Sequence, residues 1–351
     1  MNRFTAIDLF SGAGGLTVGL KKGGFDVLAC VEINESAIET YKMNHKNHLV
    51  YSCDIRKLSP AKVMLDLNLK KGDLDLLAGC PPCQGFSSHR TRNQSTSVCD
   101  ERNDLVFEFI RFVKELRPKT IMMENVPGLA KDDRMITIKR KLKEFGYYID
   151  DDTVQVKNAV DYGVPQRRKR MILQASIHGY IEQPKKSKKQ KTVYEAISNL
   201  KPPGKSGDSL HDITVIRSPR VMEMIKLIPK NGGSRMDLPE EYWLPCHKKY
   251  PGGYRDVYGR MSWNDVSPTI TGGCNNPSKG RFIHPEDDRA ITLREAAILQ
   301  TFPRSYKFSL TKGTDSVALM IGNALPPEFI KRHAKQYHKH LTQFYGAKNN
   351  E

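Results

Sequence analysis

From Phe4 to about residue 180, apolar runs of strand length alternate with stretches of helical character, and this alternation restricts the fold more than any other feature. Phe4-Thr-Ala-Ile-Asp-Leu-Phe10 reads as a strand and Gly15 to Lys22 as the helix that follows it. Asp26-Val-Leu-Ala-Cys-Val-Glu32 reads as a second strand, and Asn34 can cap a helix running to about Asn44. Tyr51 to Asp54 closes a third strand, while Leu74 to Ala78, Thr120 to Met123 and Met171 to Ala175 supply more. Asp104 to Leu116 puts Leu105, Phe109, Phe112, Val113 and Leu116 largely on one helical face. Such alternation predicts an α/β fold, a doubly wound and mostly parallel sheet covered on both sides. Ligands of these sheets gather beyond the carboxyl ends of the strands. Asp8, Glu32, Asp54, Cys83 and Glu124 all fall at or near those ends, so one crevice can hold them together.

At 351 residues the chain can form one large domain or two. Its formal charge of +17 suggests a polyanionic partner, because each phosphate neutralised releases counterions. A solvated basic surface would give the same number. Seven cysteines, no signal-like segment and no long apolar run point to a reduced, cytoplasmic setting without a membrane span.

Chemistry concentrates in four places. Gly79-Cys-Pro-Pro-Cys83-Gln-Gly-Phe-Ser87 sets a thiol at a proline corner after a strand, where a nucleophile can be exposed. Read alone, Cys83 is as easily a buried structural cysteine. A redox or zinc role for Cys80 and Cys83 is disfavoured by the two prolines between them and by the lack of a second pair. Phe10-Ser-Gly-Ala-Gly-Gly15, including Gly12 and Gly14, is a glycine loop opening a helix, suited to close approach of a nucleotide-like ligand. Glu32 then stands where it can grip ribose hydroxyls, whether the ligand is a nicotinamide dinucleotide or another adenosyl cofactor. Thr120-Ile-Met-Met ends in Glu124-Asn125-Val126, and Gln166-Arg-Arg-Lys-Arg170 places Arg168 and Arg170 on one face of a strand entering the sheet. A polar loop from Ser87 to Arg102 lacks any apolar period and is long enough to be a functional lid.

In this order the motifs resemble those of the cytosine-C5 DNA methyltransferases of bacterial modification type, from Asp8 to about Glu328. The resemblance implies a Rossmann-like catalytic domain at 1–180 plus 315–351 and a smaller, irregular target-recognition domain at 181–314. It implies S-adenosyl-L-methionine as cofactor, with Phe10 near the adenine, Asp54 on its exocyclic amine, and Leu105 and Asn323 completing the pocket. Cys83 would add to carbon 6 of a flipped cytosine and make carbon 5 nucleophilic. Glu124 would meet the ring at N3, Arg170 would contact O2, and Arg168 would support the site. The implied partner is double-stranded DNA, approached by a monomer, with a separately encoded restriction endonuclease as a further partner. The tRNA-modifying branch with the same catalytic set is the alternative enzyme, and a repressor on this scaffold is the alternative class. Within the second region, Asn231-Gly-Gly-Ser-Arg235 reads as a loop reaching base edges, and Lys185, Lys186, Lys188 and Lys189 as a phosphate-contacting strip.

Overall fold

A strand apolar at nearly every position has to be buried on both faces. Asp26–Glu32 meets that requirement and forms β2, an interior strand one place from the edge of a seven-stranded sheet. The computed structural model describes residues 4–82, 104–213, 215–249, 252–253 and 255–346. In chain order the sheet and its covering helices are β1 (Thr5–Leu9), α1 (Gly15–Lys22), β2, α2 (Glu35–Asn44), β3 (Leu49–Ser52), α3 (Pro60–Asp66) and β4 (Leu76–Gly79). They continue with α4 (Leu105–Leu116), β5 (Thr120–Asn125), α5 (Asp133–Glu144), β6 (Val154–Asn158) and β7 (Lys169–Ser176). The spatial order is β3-β2-β1-β4-β5-β7-β6. The first five are parallel, and β7 runs antiparallel between β5 and β6. The doubly wound, mostly parallel sheet read from the sequence is therefore the fold.

Register brings the strand ends into line. Leu9 pairs with Val31 and with Gly79, Gly79 with Met123, and Glu32 with Ser52, so the carboxyl ends of the parallel strands share one edge. α4 buries Val106, Phe109, Ile110, Phe112, Val113 and Leu116 in the main core with Leu77, Ile121 and Met123. Each such side chain contributes roughly 1.5–3 kcal/mol by leaving water. On α1, a Cβ at Gly19 would lie 2.4 Å from that of Ile330, and one at Gly23 would lie 2.3 Å from that of Ala334. Those glycines let the C-terminal helix, Pro327–Tyr345, pack directly against α1.

Two compact units emerge: residues 1–162, 169–186 and 325–351 in the first, and 163–168 and 187–324 in the second. All seven strands belong to the first. Among its described residues the second has short helices and isolated bridges only. Several of its backbone carbonyls are met by arginines. Arg260, fully buried, donates to the carbonyls of Ile225 (2.7 Å), Ile228 (2.9 Å), His284 (3.0 Å) and Asp287 (2.7 Å). Arg281 and Arg294 make further bonds of this kind, to Gly232 and to Tyr306.

Candidate active site

The glycine loop is fixed from below by β1 and from the side by β2. Phe10 takes φ 61°, a left-handed conformation that a non-glycine residue holds only where its surroundings impose it. Gly12 and Gly14 also have positive φ, and Gly14 caps α1. Ser11 N–H donates to the Val31 carbonyl at 3.1 Å, tying the loop to β2. Glu32, at the end of β2, accepts from Gly12 N–H at 2.7 Å through one oxygen and from Ile33 and Asn34 N–H through the other. Its carboxylate therefore sets the loop as well as facing outward.

Asp54 lies two residues beyond β3 rather than inside it. It caps a short 3-10 turn, accepts from Arg56 N–H at 2.9 Å and is gripped by the Arg56 guanidinium at 2.6 Å. Those hydrogen bonds from Arg56 hold its carboxyl below the usual carboxylate range. Leu105 starts α4 and is half-buried against the main core.

The catalytic candidates divide. Glu124 is buried near the end of β5, paired with Arg170 of β7 at 2.8 Å. Asn125, next to it, donates its side-chain amide to the Pro81 carbonyl at 3.0 Å and accepts Val126 N–H at 2.8 Å. It thereby pins the proline corner that leads to Cys83. Cys83 itself, with the polar loop to Arg102, lies outside the described residues. Cys80 is described, and burial, then Glu124 and Asp8, push its thiol well above the ordinary range. A thiol so held stays protonated and is a poor nucleophile.

Arg168 does not join this group along a shared strand face as the sequence suggested. β7 begins at Lys169, and Arg168 belongs to the second unit. There its buried guanidinium donates to the carbonyls of Ile270 (2.8 Å) and Gly322 (2.7 Å). Asn323, exposed at the end of the helix Gly313–Asn323, belongs to that unit too. The preceding Gly322 has no alternative, since a Cβ there would lie 2.2 Å from the Gly272 nitrogen. Gln166 completes the link by accepting Ile270 N–H at 2.9 Å and donating to Gln300 at 2.8 Å.

This arrangement finds its counterpart among known proteins. The family described as C-5 cytosine-specific DNA methylase matches residues 4–339. The chain belongs to that family. It is 37% identical to the Type II methylase M.HgiDII of Herpetosiphon aurantiacus, an alignment spanning 91% of each chain. It is 34% identical to the Type II methyltransferase M1.HphI of Haemophilus parahaemolyticus, over 92% of this chain and 83% of that one. A solved structure described as a DNA modification methyltransferase encoded within an Escherichia coli prophage superposes with TM-score 0.69 and 26% identity, covering 97% and 99% of the two chains. The Entamoeba histolytica methyltransferase EhMeth, at 16% identity and TM-score 0.67 over 97% and 99%, shares the fold. The protein is thus a DNA cytosine-5 methyltransferase, and this kinship supports DNA over tRNA as its substrate.

A methyltransferase of this family needs a methyl donor, and the residues at the strand ends fit S-adenosylmethionine. The space around Gly12 is open, with nothing within 4 Å of where a Cβ would stand. Two carboxylates, Glu32 and Asp54, follow adjacent strands where ribose hydroxyls and an adenine amine could be received. Ile33, 64% exposed directly after Glu32, escaped the sequence reading. Its signal is a β-branched apolar side chain left in water at the carboxyl end of a buried strand. Beneath the loop, Asp8 is wholly buried, accepts from the Thr17 hydroxyl at 2.6 Å, and is pushed up to about 7 by burial. Thr17 in turn meets the Tyr41 hydroxyl at 3.1 Å, and Tyr41 meets His48 at 2.8 Å. Among the described residues no helix is long and apolar enough to cross a membrane.

Proposed function

We propose that the protein extrudes a cytosine from duplex DNA and methylates its carbon 5 by covalent catalysis from Cys83. The supporting observation is the grouping of Glu32, the Asn125-pinned Pro81 corner and the Glu124–Arg170 pair along one edge of the sheet. S-adenosylmethionine supplies an electrophilic methyl group when bound; Phe10, Gly12, Gly14, Glu32, Asp54, Leu105 and Asn323 are its proposed holders. The Cys83 thiolate forms a bond to carbon 6 of cytosine, and Glu124 shares a proton with ring N3 as electron density moves onto the ring. Carbon 5 then takes the methyl. Loss of the carbon 5 proton to a base and departure of Cys83 restore the aromatic ring. Arg170, paired with Glu124 in the free protein, exchanges that partner for the base's O2, while Arg168 steadies the chain from its carbonyl bonds. Residues 181–314 form the proposed target reader, and the enzyme acts as a monomer in the cytoplasm. Relatives named Type II support a role in modification beside a separately encoded restriction endonuclease.

The test is a duplex carrying 5-fluorocytosine at the target, which cannot lose its substituent as a proton and so stalls the final elimination. Wild-type protein should be trapped covalently in the presence of cofactor, and Cys83→Ser should not. An adduct mapping to Cys80 would refute the assignment.

A further inference from the structure

A groove of about 420 Å³ opens between the C-terminal helix and the segment that follows β7. Lys331, Lys335 and Lys339 line one side, and Lys185 stands on the other with Gln183 and Pro184. The three helical lysines recur every four residues, so they stack along one face about 6 Å apart and span about 12 Å. Arg332 adds a fifth cation. Two carboxylates are present, and both are engaged: Glu328 by Lys331 (3.1 Å) and Arg332 (3.2 Å), and Glu182 by Lys339 (2.7 Å). Lys335 and Lys185 are exposed, and no salt bridge to either occurs among the described residues, although Lys185 lies close enough to Glu182 to act on its charge.

None of the groove's lining residues is among the candidate site residues. His340 hydrogen-bonds Ser176, the last residue of β7, at 2.7 Å, and Ser176 pairs with Thr120 at the start of β5. Glu124 pairs with Ile172, four residues further along, so roughly 13 Å of strand lies between the groove's Lys339 end and the catalytic edge. No aromatic or aliphatic side chain other than Pro184 lines it, which leaves nothing for a base to stack on or for a lipid tail to enter. Lysines acting as point charges along a line suit a repeating phosphate backbone, whereas carboxylates are better matched by arginine forks.

We propose that this groove holds the phosphate backbone of DNA lying beyond the short duplex around the target base. The site is sequence-blind and serves to keep the enzyme on long DNA. The proposal rests on the DNA substrate and not on the Cys83 mechanism. Its test is a variant with Lys331→Gln, Lys335→Gln and Lys339→Gln, assayed on a minimal duplex and on a long duplex carrying the same single target. On the minimal duplex, kcat and KM should stay within about twofold of wild type, which also shows that the variant is folded. On the long duplex, KM should rise, and the slope of log affinity against log salt should flatten by up to about 2.7 if all three lysines meet phosphates. Equal weakening on both duplexes would place these lysines in the target contact and overturn the proposal. An unchanged salt slope on the long duplex would overturn it as well, and polyglutamate binding lost in the same variant would then assign the groove to an acidic protein partner.

Discussion

The two units satisfy the same backbone requirement by different means. In the first, buried carbonyls and amides pair across seven strands, and the charged side chains are pushed to the strand ends. In the second, whose described residues include no strand beyond isolated bridges, buried arginines reach into the backbone and collect its carbonyls. A guanidinium offers five donors in a fixed fork, so one side chain can replace several ladder bonds. Part of the chain's positive charge is therefore structural, not a surface awaiting phosphates. The first unit can change a strand-end side chain and keep its fold, whereas the second depends on Arg260, its most heavily bonded interior arginine, for its own.

The largest expected effect follows from that contrast. Arg260→Leu leaves the carbonyls of Ile225, Ile228 and His284 without their donor, while the Asp287 carbonyl keeps Arg289 N–H and Asp288 keeps Lys230. At roughly 1–3 kcal/mol for each unsatisfied group, the loss is at least about 3 kcal/mol. DNA binding should disappear while the first unit still binds cofactor, as calorimetry with S-adenosylmethionine would show. Arg260→Lys should fail nearly as badly, because an ammonium cannot span the fork. A stable Arg260→Leu protein would break the comparison.

The first unit should behave in the opposite way. Glu124→Gln keeps the shape of a strand-end residue and removes its acid, so turnover should fall about 10²- to 10⁴-fold. Thermal stability and DNA affinity should change far less. Single-turnover methylation at saturating DNA and cofactor reads this directly, and an undiminished rate would leave Glu124 a structural partner of Arg170.

The same contrast explains how far the sequence could be read. Strand-end chemistry is local: Glu32 and Glu124 each close an apolar run and Asp8 interrupts one, so their positions were legible to within a residue or two. Asp54 was assigned to a strand end because its neighbours are β-formers, yet it caps a turn formed with Arg56. β6 escaped notice because Val-Gln-Val-Lys-Asn is a half-exposed edge with a single partner strand and lacks a buried run. The arginines could not be read at all. Arg260 is matched to carbonyls of residues 225, 228, 284 and 287, and a carbonyl carries no residue identity. Arg168 misled for this reason: its alternation with Arg170 suggested a shared face, while its partners are the carbonyls of Ile270 and Gly322.

Buried titratable groups within the first unit sharpen the comparison through pH. Asp8, pushed up to about 7 from 3.8, keeps its proton in the folded chain at pH values where the unfolded chain has lost it. Stability therefore falls as pH rises from about 4 to about 7, by at most about 4 kcal/mol at 1.36 kcal/mol per unit. His333, buried and pushed down to about 3 by burial, works the other way. The unfolded chain takes up its proton first, so stability is lost as pH falls below about 6.5. Asp8→Asn should remove the first slope and His333→Phe the second, measured as Tm against pH. If Asp8→Asn leaves the slope between pH 4 and 7 unchanged, the Thr17-bonded carboxyl is already ionised in the folded chain.

The smallest expected effect concerns Arg235, where the two views of a basic residue collide. Its place in Asn231-Gly-Gly-Ser-Arg235 suggested a side chain reaching a guanine edge. The structure leaves it 1% exposed, bonded to the Gly253 carbonyl and set over the Trp243 ring at 5.5 Å. It holds a loop from inside in the manner of Arg260. Arg235→Ala should therefore lower stability by about 2 kcal/mol, from one unsatisfied buried carbonyl and a lost cation–π contact. The methylated sequence, read by bisulfite sequencing of plasmid from cells expressing the variant, should not change. Base discrimination by a bidentate arginine would instead appear as a relaxed target at about 1–3 kcal/mol with Tm intact. That outcome would return Arg235 to the DNA and show that the second unit uses at least one interior arginine for recognition as well as for its fold.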